Sequence, residues 1–230
     1  KKMNSNSAVI ANENSLDYFN NIISDAKALI GLGVKELVLT GINLGTYEYN
    51  GFGFYDVLES LLSIDPSVRV RISSIEPTTI DDRLLRFWHD YPNFCRYLHL
   101  PVQSATNEML QAMRRKYSLD EYSNYVDMIK EQFPDLCIGT DVIVGFPGET
   151  DDLFDQTASY LACAPIDYFH VFSYSERTMA HSRKFQDKVD ATVIKQRSFQ
   201  LRQLSDEKWA SYNHHYIYQD LPILFEQKKG

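Results

Sequence analysis

The chain has 230 residues, of which 44% are hydrophobic and 23% charged, and its formal net charge is −8 with a pI near 5.2. That length suits one large α/β domain, or one domain with a short appendage. It contains no signal peptide and no run approaching the ~20 apolar residues of a membrane helix, so a cytoplasmic protein is expected. The negative net charge argues against indiscriminate nucleic-acid binding, but it does not exclude an RNA substrate that another domain binds.

Residues 1–15 are polar, rich in Asn and Ser and without period, and we expect a disordered tail or a tag remnant there. A helical stripe of apolar residues over 16–30 then predicts a helix that Gly31 and Gly33 end. Short apolar stretches alternate with helical ones along the rest of the chain. They predict strands over 34–40, 68–74, 97–100, 136–144, 168–172 and 221–226, and helices over 54–63, 80–90, 108–113, 119–132, 151–162 and 189–216.

Strands separated by helices are typical of βαβ units and a parallel sheet. Because no phosphate-binding glycine loop is present, the pattern favours a barrel over a dinucleotide-binding fold. The predicted fold class is α/β, a partial (β/α) barrel of the TIM type with parallel strands, over residues 16–187. A C-terminal helix and linker are expected over 188–220. The strand over 221–226 begins just where the chain stops, which suggests that the natural protein continues.

Polar residues follow each of the first five predicted strands, at the edge where a parallel barrel carries its chemistry. The five segments are TGINLGTY, SSIEP, PVQS, DVIVGFPGET and YSER. Each has a structural explanation when taken singly, since glycine relieves turns and proline ends strands. Together they predict a pocket for a polar ligand with amine, carboxylate and hydroxyl groups, although none of these residues is an obvious nucleophile.

Two further groups of residues have competing interpretations. The cysteines Cys95, Cys137 and Cys163 are isolated and odd in number, which favours buried, reduced thiols over disulfides or a metal site. The basic run Arg114-Arg115-Lys116 follows a predicted helix. It either compensates the helix dipole or contacts RNA phosphates, and the sequence does not decide between the two.

The stretches KELVLTGINLGTY, RVRISSIEP, YLHLPVQSATNEMLQAMRRKYSLDEY, IGTDVIVGFPGET and YFHVFSYSER resemble, in order and spacing, the blocks of the radical-SAM methylthiotransferases. The resemblance covers residues 16–226. LTGINLG and ISSIEP are most similar to the branch that adds a methylthio group to N6-threonylcarbamoyladenosine beside the tRNA anticodon. The branch that acts on isopentenyladenosine in tRNA is the alternative. A branch that acts on a ribosomal protein usually has His at the position of Ser104.

The resemblance implies that S-adenosylmethionine binds across the strand ends and that tRNA is the substrate. Within it, Gly41 and Asn43 match the motif near the methionine amino group, and Ser74, Glu76 and Gln103, with Ser104 beside it, match the nucleoside and ribose side. Asp141, Val142, Ile143 and Gly145 match the segment whose backbone meets the adenine, and Tyr174 and Arg177 match the rim of the last strand.

The chain also departs from this family, which carries a CxxxCxxC loop for a [4Fe–4S] cluster before the first helix. Residues 1–15 contain no cysteine, so the 230 residues as written lack the thiolate ligands of a cluster. We therefore expect a fragment, inactive by itself, of a larger enzyme whose small RNA-binding β-barrel begins at 221–230. The alternative is a degenerate barrel without a cluster that only binds a ligand or a partner. The matching blocks argue against an ordinary, metal-independent barrel enzyme.

Overall fold

The computed structural model describes residues 7–11, 18–41, 43–176 and 185–224, with the backbone alone for 7–11 and 18. The chain divides into two compact units. The first comprises Lys1–His99 with Gln219–Gly230, and the second comprises Leu100–Tyr218. Within the described ranges, no helix combines the length and the hydropathy that crossing a membrane requires.

The first unit alternates strands and helices around a parallel sheet. Its elements are β1 (Ser7–Ala11), α1 (Tyr18–Gly31), β2 (Glu36–Thr40), β3 (Glu48–Tyr49), β4 (Phe52–Gly53), α2 (Phe54–Ile64), β5 (Arg69–Ile72), α3 (Asp82–Asp90) and β6 (Tyr97–His99). Strands β1, β2 and β5 are parallel in that order, with Ala11 beside Thr40 and Leu39 beside Ile72. Because β2 and β5 are parallel neighbours, the loops that follow them emerge at the same edge of the sheet.

Side-chain caps fix where the helices of this unit begin. The Asp56 carboxylate accepts the backbone N–H of Gly53 at 2.6 Å, and the Asp81 carboxylate accepts that of Arg83 at 2.8 Å. Each bond satisfies a backbone donor that the first helical turn leaves without a partner. The helices then bury their apolar faces, as in α2, where Leu58 and Leu62 are fully buried.

The second unit is built on two parallel strands and four helices. Its elements are α4 (Asn107–Ala112), α5 (Leu119–Gln132), β7 (Cys137–Val144), α6 (Asp151–Cys163), β8 (Tyr168–Ser173) and α7 (Ala191–His214). Strand β8 pairs with one side of β7, with Gly139 beside Tyr168. The run 100–103 lies along the other side of β7, where Leu100 N–H donates to Gly139 O and Gln103 N–H to Asp141 O, both at 2.8 Å.

Helix α7 covers the open side of β8. The hydroxyl of the buried Ser205 accepts the Phe169 N–H at 2.9 Å and donates to the Phe169 carbonyl at 2.7 Å. Arg202 Nη2 donates to the Val171 carbonyl at 3.3 Å. These side chains form hydrogen bonds with backbone groups of β8 that a further strand could otherwise pair with. The helix therefore protects an exposed strand edge.

The predicted helices and strands between residues 18 and 216 are confirmed, with bounds that differ by no more than two residues in the described ranges. Two predictions are wrong. Residues 7–11 form a parallel strand instead of a tail, because the short apolar run AVIA pairs along β2. Residues 221–224 lie in no strand, while 225 and 226 are outside the described residues. The hairpin of β3 and β4 was not predicted.

Candidate functional site

The predicted ligand-binding residues of the first unit follow β2 and β5: Gly41, Asn43, Ser74 and Glu76. Asn43 is exposed and begins a turn of 3-10 helix over Leu44–Thr46. Its backbone carbonyl accepts the N–H of Thr46 at 3.3 Å and the hydroxyl of Thr46 at 3.1 Å. The Asn43 side chain has no hydrogen bond within the described part of the chain. Its amide is therefore available to a ligand.

The residues after β5 continue along the sheet in an extended conformation. Ser73 N–H donates to Leu39 O at 3.0 Å, and Ile75 N–H donates to His99 O at 3.1 Å. Glu76 then begins a second turn of 3-10 helix, Pro77–Thr79, and its carbonyl accepts the Thr79 hydroxyl at 2.8 Å. Ser74 and Glu76 are both half-buried.

A glycine without a predicted role joins the two loops. A Cβ atom on Gly45 would lie 2.2 Å from the Oγ1 atom and 2.3 Å from the Cβ atom of Thr79. The turn after β2 therefore packs against the turn after β5 at a distance that no other residue type allows at position 45. This close approach holds the loop of Gly41 and Asn43 beside that of Ser74 and Glu76.

In the second unit, Gln103 occupies an unusual backbone conformation. Its φ of 68° lies in the left-handed region, which is strained for a residue with a Cβ atom. Bonds to β7 hold it there, because Ile143 N–H donates to its carbonyl at 2.9 Å. The residue is 8% exposed, and its side-chain amide has no partner among the described residues. The amide nitrogen and oxygen are not completely enclosed, so a ligand could reach them and supply the hydrogen bonds that the described residues do not.

Ser104 has a different environment from its neighbour. It is 2% exposed, and its hydroxyl lies 3.3 Å from that of Thr157 on α6. The Thr157 hydroxyl also accepts the Ala105 N–H at 3.3 Å. The structure thus uses the Ser104 hydroxyl to join the run 100–106 to α6, a contact between distant residues that the sequence does not reveal.

The remaining predicted residues lie on β7 and at the strand ends. Val142 is buried, whereas Asp141 and Ile143 are half-buried, in keeping with the alternation of a strand with two different faces. Tyr174 follows β8, and its ring meets that of Phe146 edge to face at 5.3 Å. Arg177 lies outside the described residues.

The loop after β7, residues 145–149, has a conformation that depends on its two glycines. Gly145 has a φ of 81° and Gly148 a φ of 90°. Glu149 N–H donates to Phe146 O at 3.0 Å, so Pro147 and Gly148 occupy the two central positions of a turn with the pattern of type II. A Cβ atom on Gly145 would lie 2.3 Å from Cγ1 of Ile194 in α7.

A buried ion pair that the sequence did not reveal holds this loop. Glu149 Oε2 accepts the Gly145 N–H at 2.7 Å and lies 2.8 Å from Nη1 of Arg197. Arg197 is 5% exposed and Glu149 is 7% exposed. Burial raises the pKa of the Glu149 carboxyl, and the hydrogen bonds from Gly145 and Arg197 oppose that rise. The two residues are 48 positions apart, so only the fold brings them together.

The predicted basic cluster follows α4 as expected. Arg114 and Lys116 are exposed, whereas Arg115 is half-buried. Arg114 has a φ of 58°, and its N–H donates to Gln111 O at 2.9 Å, which closes the end of the helix. The cluster therefore lies at a helix C-terminus, where both of the predicted roles remain physically reasonable.

The three cysteines are free, as predicted, but the prediction that all are buried is wrong. Cys95 and Cys137 are buried, and burial raises the pKa of both thiols, that of Cys137 to about 12. Cys163 is exposed because it ends α6 at the surface. Among the described residues, no group of three or more His, Cys, Asp or Glu side chains is placed to hold a metal ion.

Comparison with known proteins gives consistent results. Residues 14–161 match the family described as the Radical SAM superfamily. The chain is 35% identical over 209 residues to the threonylcarbamoyladenosine tRNA methylthiotransferase MtaB of Bacillus subtilis, covering 90% of this chain and 46% of that protein. It is 36% identical over 209 residues to the tRNA-2-methylthio-N(6)-dimethylallyladenosine synthase of Bacillus mycoides, covering 89% of this chain and 41% of that protein. The chain thus spans somewhat less than half the length of these relatives.

A solved structure supports the same fold. Coproporphyrinogen III oxidase (HemN) from Escherichia coli, a radical SAM enzyme, matches with a TM-score of 0.61 and 16% identity, covering 85% of this chain and 45% of that one. At this identity the likeness shows the fold alone. The predicted fold class, α/β with parallel strands in a partial barrel of the radical-SAM type, is confirmed.

Proposed function

This chain belongs to the radical SAM superfamily, and we propose that it is the catalytic barrel of a tRNA methylthiotransferase. One observation carries the proposal: the alignment with MtaB of Bacillus subtilis extends over 90% of the chain at 35% identity. Chance similarity or a shared fold alone does not reach that identity over such a length. A tRNA substrate makes the cytoplasm the proposed location.

The superfamily uses S-adenosyl-L-methionine together with a [4Fe–4S] cluster, which supplies radical chemistry when bound. The polar groups at the strand ends fit the first of these, a ligand with amine, carboxylate, ribose and adenine groups. The observation that best supports the fit is Gln103, a largely buried residue whose accessible side-chain amide has no partner among the described residues. In the first unit we propose Asn43 and Glu76 as ligand-binding residues, and in the second unit we propose that the β7 segment with Gly145 binds adenine.

The cysteines of this chain do not fit the cluster. Cys95 follows α3, Cys137 begins β7 and Cys163 ends α6, and no two are closer in sequence than 26 residues. A [4Fe–4S] cluster needs thiolates that converge on one centre. We therefore propose that the role of these 230 residues is to bind and orient S-adenosylmethionine and the substrate.

The proposed substrate is N6-threonylcarbamoyladenosine in tRNA. The two Bacillus relatives named above act on different nucleosides and have nearly equal identity to this chain, 35% and 36%. The segments LTGINLG and ISSIEP favour the threonylcarbamoyl branch. With a net charge of −8, the chain has little general attraction for phosphates. We therefore propose that Arg114, Arg115 and Lys116 make a local contact with the tRNA and do not provide most of its binding affinity.

A chimeric enzyme tests this proposal. The residues of Bacillus subtilis MtaB that align with 18–220 are replaced by this chain, and the gene is expressed in a strain that lacks its own methylthiotransferases. Mass spectrometry of digested tRNA should then detect 2-methylthio-N6-threonylcarbamoyladenosine. A chimera made in the same way from the Bacillus mycoides synthase should be less active on isopentenyladenosine. The reverse order of activities would indicate that the substrate is isopentenyladenosine in tRNA.

Variants of Gln103 should separate ligand binding from stability. Replacement by glycine removes both the amide and the left-handed strain, so we expect S-adenosylhomocysteine binding, measured by calorimetry, to weaken about 5- to 100-fold. Its melting temperature should change little, because relief of the left-handed strain offsets the larger chain entropy that glycine loses on folding. Gln103→Asn keeps an amide at a position that asparagine tolerates and serves as the matched control. A lower melting temperature with unchanged binding would make Gln103 a structural residue.

A further inference from the structure

Helix α7 contacts the loop after β7 at several points. Asp187, just before the helix, accepts the Gly148 N–H through its backbone carbonyl at 2.8 Å. Ile194 fills the space beside Gly145. Arg197, one turn further along, donates through Nη1 to the carbonyl of Glu149 at 3.1 Å and to its carboxylate at 2.8 Å. Helix α7 and the segment just before it therefore fix the conformation of residues 145–149.

The Arg197 guanidinium is almost inaccessible, and both of its terminal nitrogens make hydrogen bonds. Its Nη2 atom lies 2.5 Å from Oδ1 of Asp151, and its Cζ atom lies 5.0 Å above the ring of Phe154. The side chain of Asp151 is 91% exposed, whereas those of Arg197 and Glu149 are 7% and 4% exposed. The pair with Glu149 is thus the desolvated one, where a charge-assisted hydrogen bond is strong and its geometry is tightly defined.

One carboxylate oxygen transmits this restraint to the ligand-binding backbone. Glu149 Oε2 accepts both the Arg197 Nη1 hydrogen and the Gly145 N–H, the latter at 2.7 Å. Gly145 ends the β7 segment to which we assign adenine binding. A shift of Glu149 would therefore move or release the Gly145 peptide, which has a φ of 81°.

We propose that Arg197 is a positioning residue for the nucleoside of S-adenosylmethionine, acting through Glu149 on the Gly145 peptide. The inference rests on the proposed function, because that proposal assigns the adenine to this segment. It adds a residue on α7 to the determinants of nucleoside affinity. Lysine cannot replace it fully, because the planar guanidinium fixes its donors toward the Glu149 carbonyl and carboxylate while it lies over the Phe154 ring.

The test is the affinity of the full 230-residue chain for 5′-methylthioadenosine, measured by calorimetry. This nucleoside carries the adenine and ribose but no methionine end, so its binding does not depend on a cluster. Arg197→Met should weaken binding about 10- to 100-fold, and Arg197→Lys should restore part of the loss. Hydrogen exchange at the Gly145 amide should accelerate in the Met variant. Asp151→Asn, the matched control at the exposed partner, should leave both measurements unchanged.

Arg197→Met leaves the Glu149 carboxylate buried without its cation, so the double variant Glu149→Gln/Arg197→Met is measured beside it. The double variant restores folding without the charge pair and should still bind the nucleoside weakly. Wild-type affinity in a folded Met or double variant would overturn the inference and leave the proposed function standing. No binding of 5′-methylthioadenosine by the unaltered chain would also overturn it. The chimera experiment, which reports a tRNA product, judges the proposed function separately.

Discussion

Replacing Gly145 by alanine should lower the free energy of unfolding of the second unit by about 2–4 kcal/mol. Two effects add at this position. A φ of 81° is unfavourable for any residue with a Cβ atom, and the new methyl group would lie 2.3 Å from Cγ1 of Ile194. Denaturant unfolding followed by circular dichroism measures the loss.

Gly148 provides the matched control, because its φ is 90° but a Cβ atom there would meet no atom of the described residues within 4 Å. Gly148→Ala should therefore show the backbone penalty alone, about 1–2 kcal/mol. Adding Ile194→Ala should remove the clash, so that Gly145→Ala costs no more in that background than Gly148→Ala does in the wild type. Equal losses of stability for the two glycine variants in the wild-type background would show that the Ile194 side chain moves aside and that the clash costs nothing.

Replacing Ser205 by alanine should destabilise the second unit by about 2–4 kcal/mol, a large effect for the loss of one hydroxyl group. That hydroxyl satisfies both backbone groups of Phe169, at 2.9 Å and 2.7 Å. Phe169 is 3% exposed, so water does not replace the lost partner. The measurement is again denaturant unfolding, accompanied by light scattering, because an uncovered edge of β8 invites pairing between molecules.

Ser198 on the same helix is the control. Its hydroxyl lies 3.0 Å from that of Ser173, whose side chain is at the surface and regains water when the partner is removed. Ser198→Ala should therefore change stability by less than about 1 kcal/mol. Similar losses at positions 198 and 205 would contradict the interpretation that α7 acts as a substitute for a neighbouring strand.

Local patterns were sufficient to predict most of the regular structure. Amphipathic stripes and short apolar runs located the helices and strands, because hydrophobic periodicity reports which face an element buries. The hairpin of β3 and β4 was not predicted, although the dipeptide Asn50-Gly51 is typical of the turn in two-residue hairpins. In the structure these two residues have φ values of 50° and 83°, as that turn requires. Strand β1 was not recognisable from the sequence, because a short apolar run in a polar segment becomes a strand only if a neighbour pairs with it.

The candidate site, too, was predictable only in part. Its location after the strands follows from the order of the elements, and the structure places Asn43, Ser74 and Gln103 at those positions with unbonded side chains in the described residues. What the sequence could not reveal are contacts over long separations. The Ser104 hydroxyl faces Thr157, and Arg197 faces Glu149, because tertiary packing selects these partners. The resemblance to a family identified the loop after β7 but not the helix that holds it.

The most direct test of the central claim is the methyl label in tRNA from the strain that carries the MtaB chimera. Cells fed methionine with an isotopically labelled methyl group should contain 2-methylthio-N6-threonylcarbamoyladenosine with the mass of one labelled methyl group. The chimera with Gln103→Gly should yield much less of this product at equal protein level. A chimera as soluble and stable as MtaB itself, yet yielding no methylthio nucleoside of either type, would contradict the assignment of this chain as a methylthiotransferase barrel.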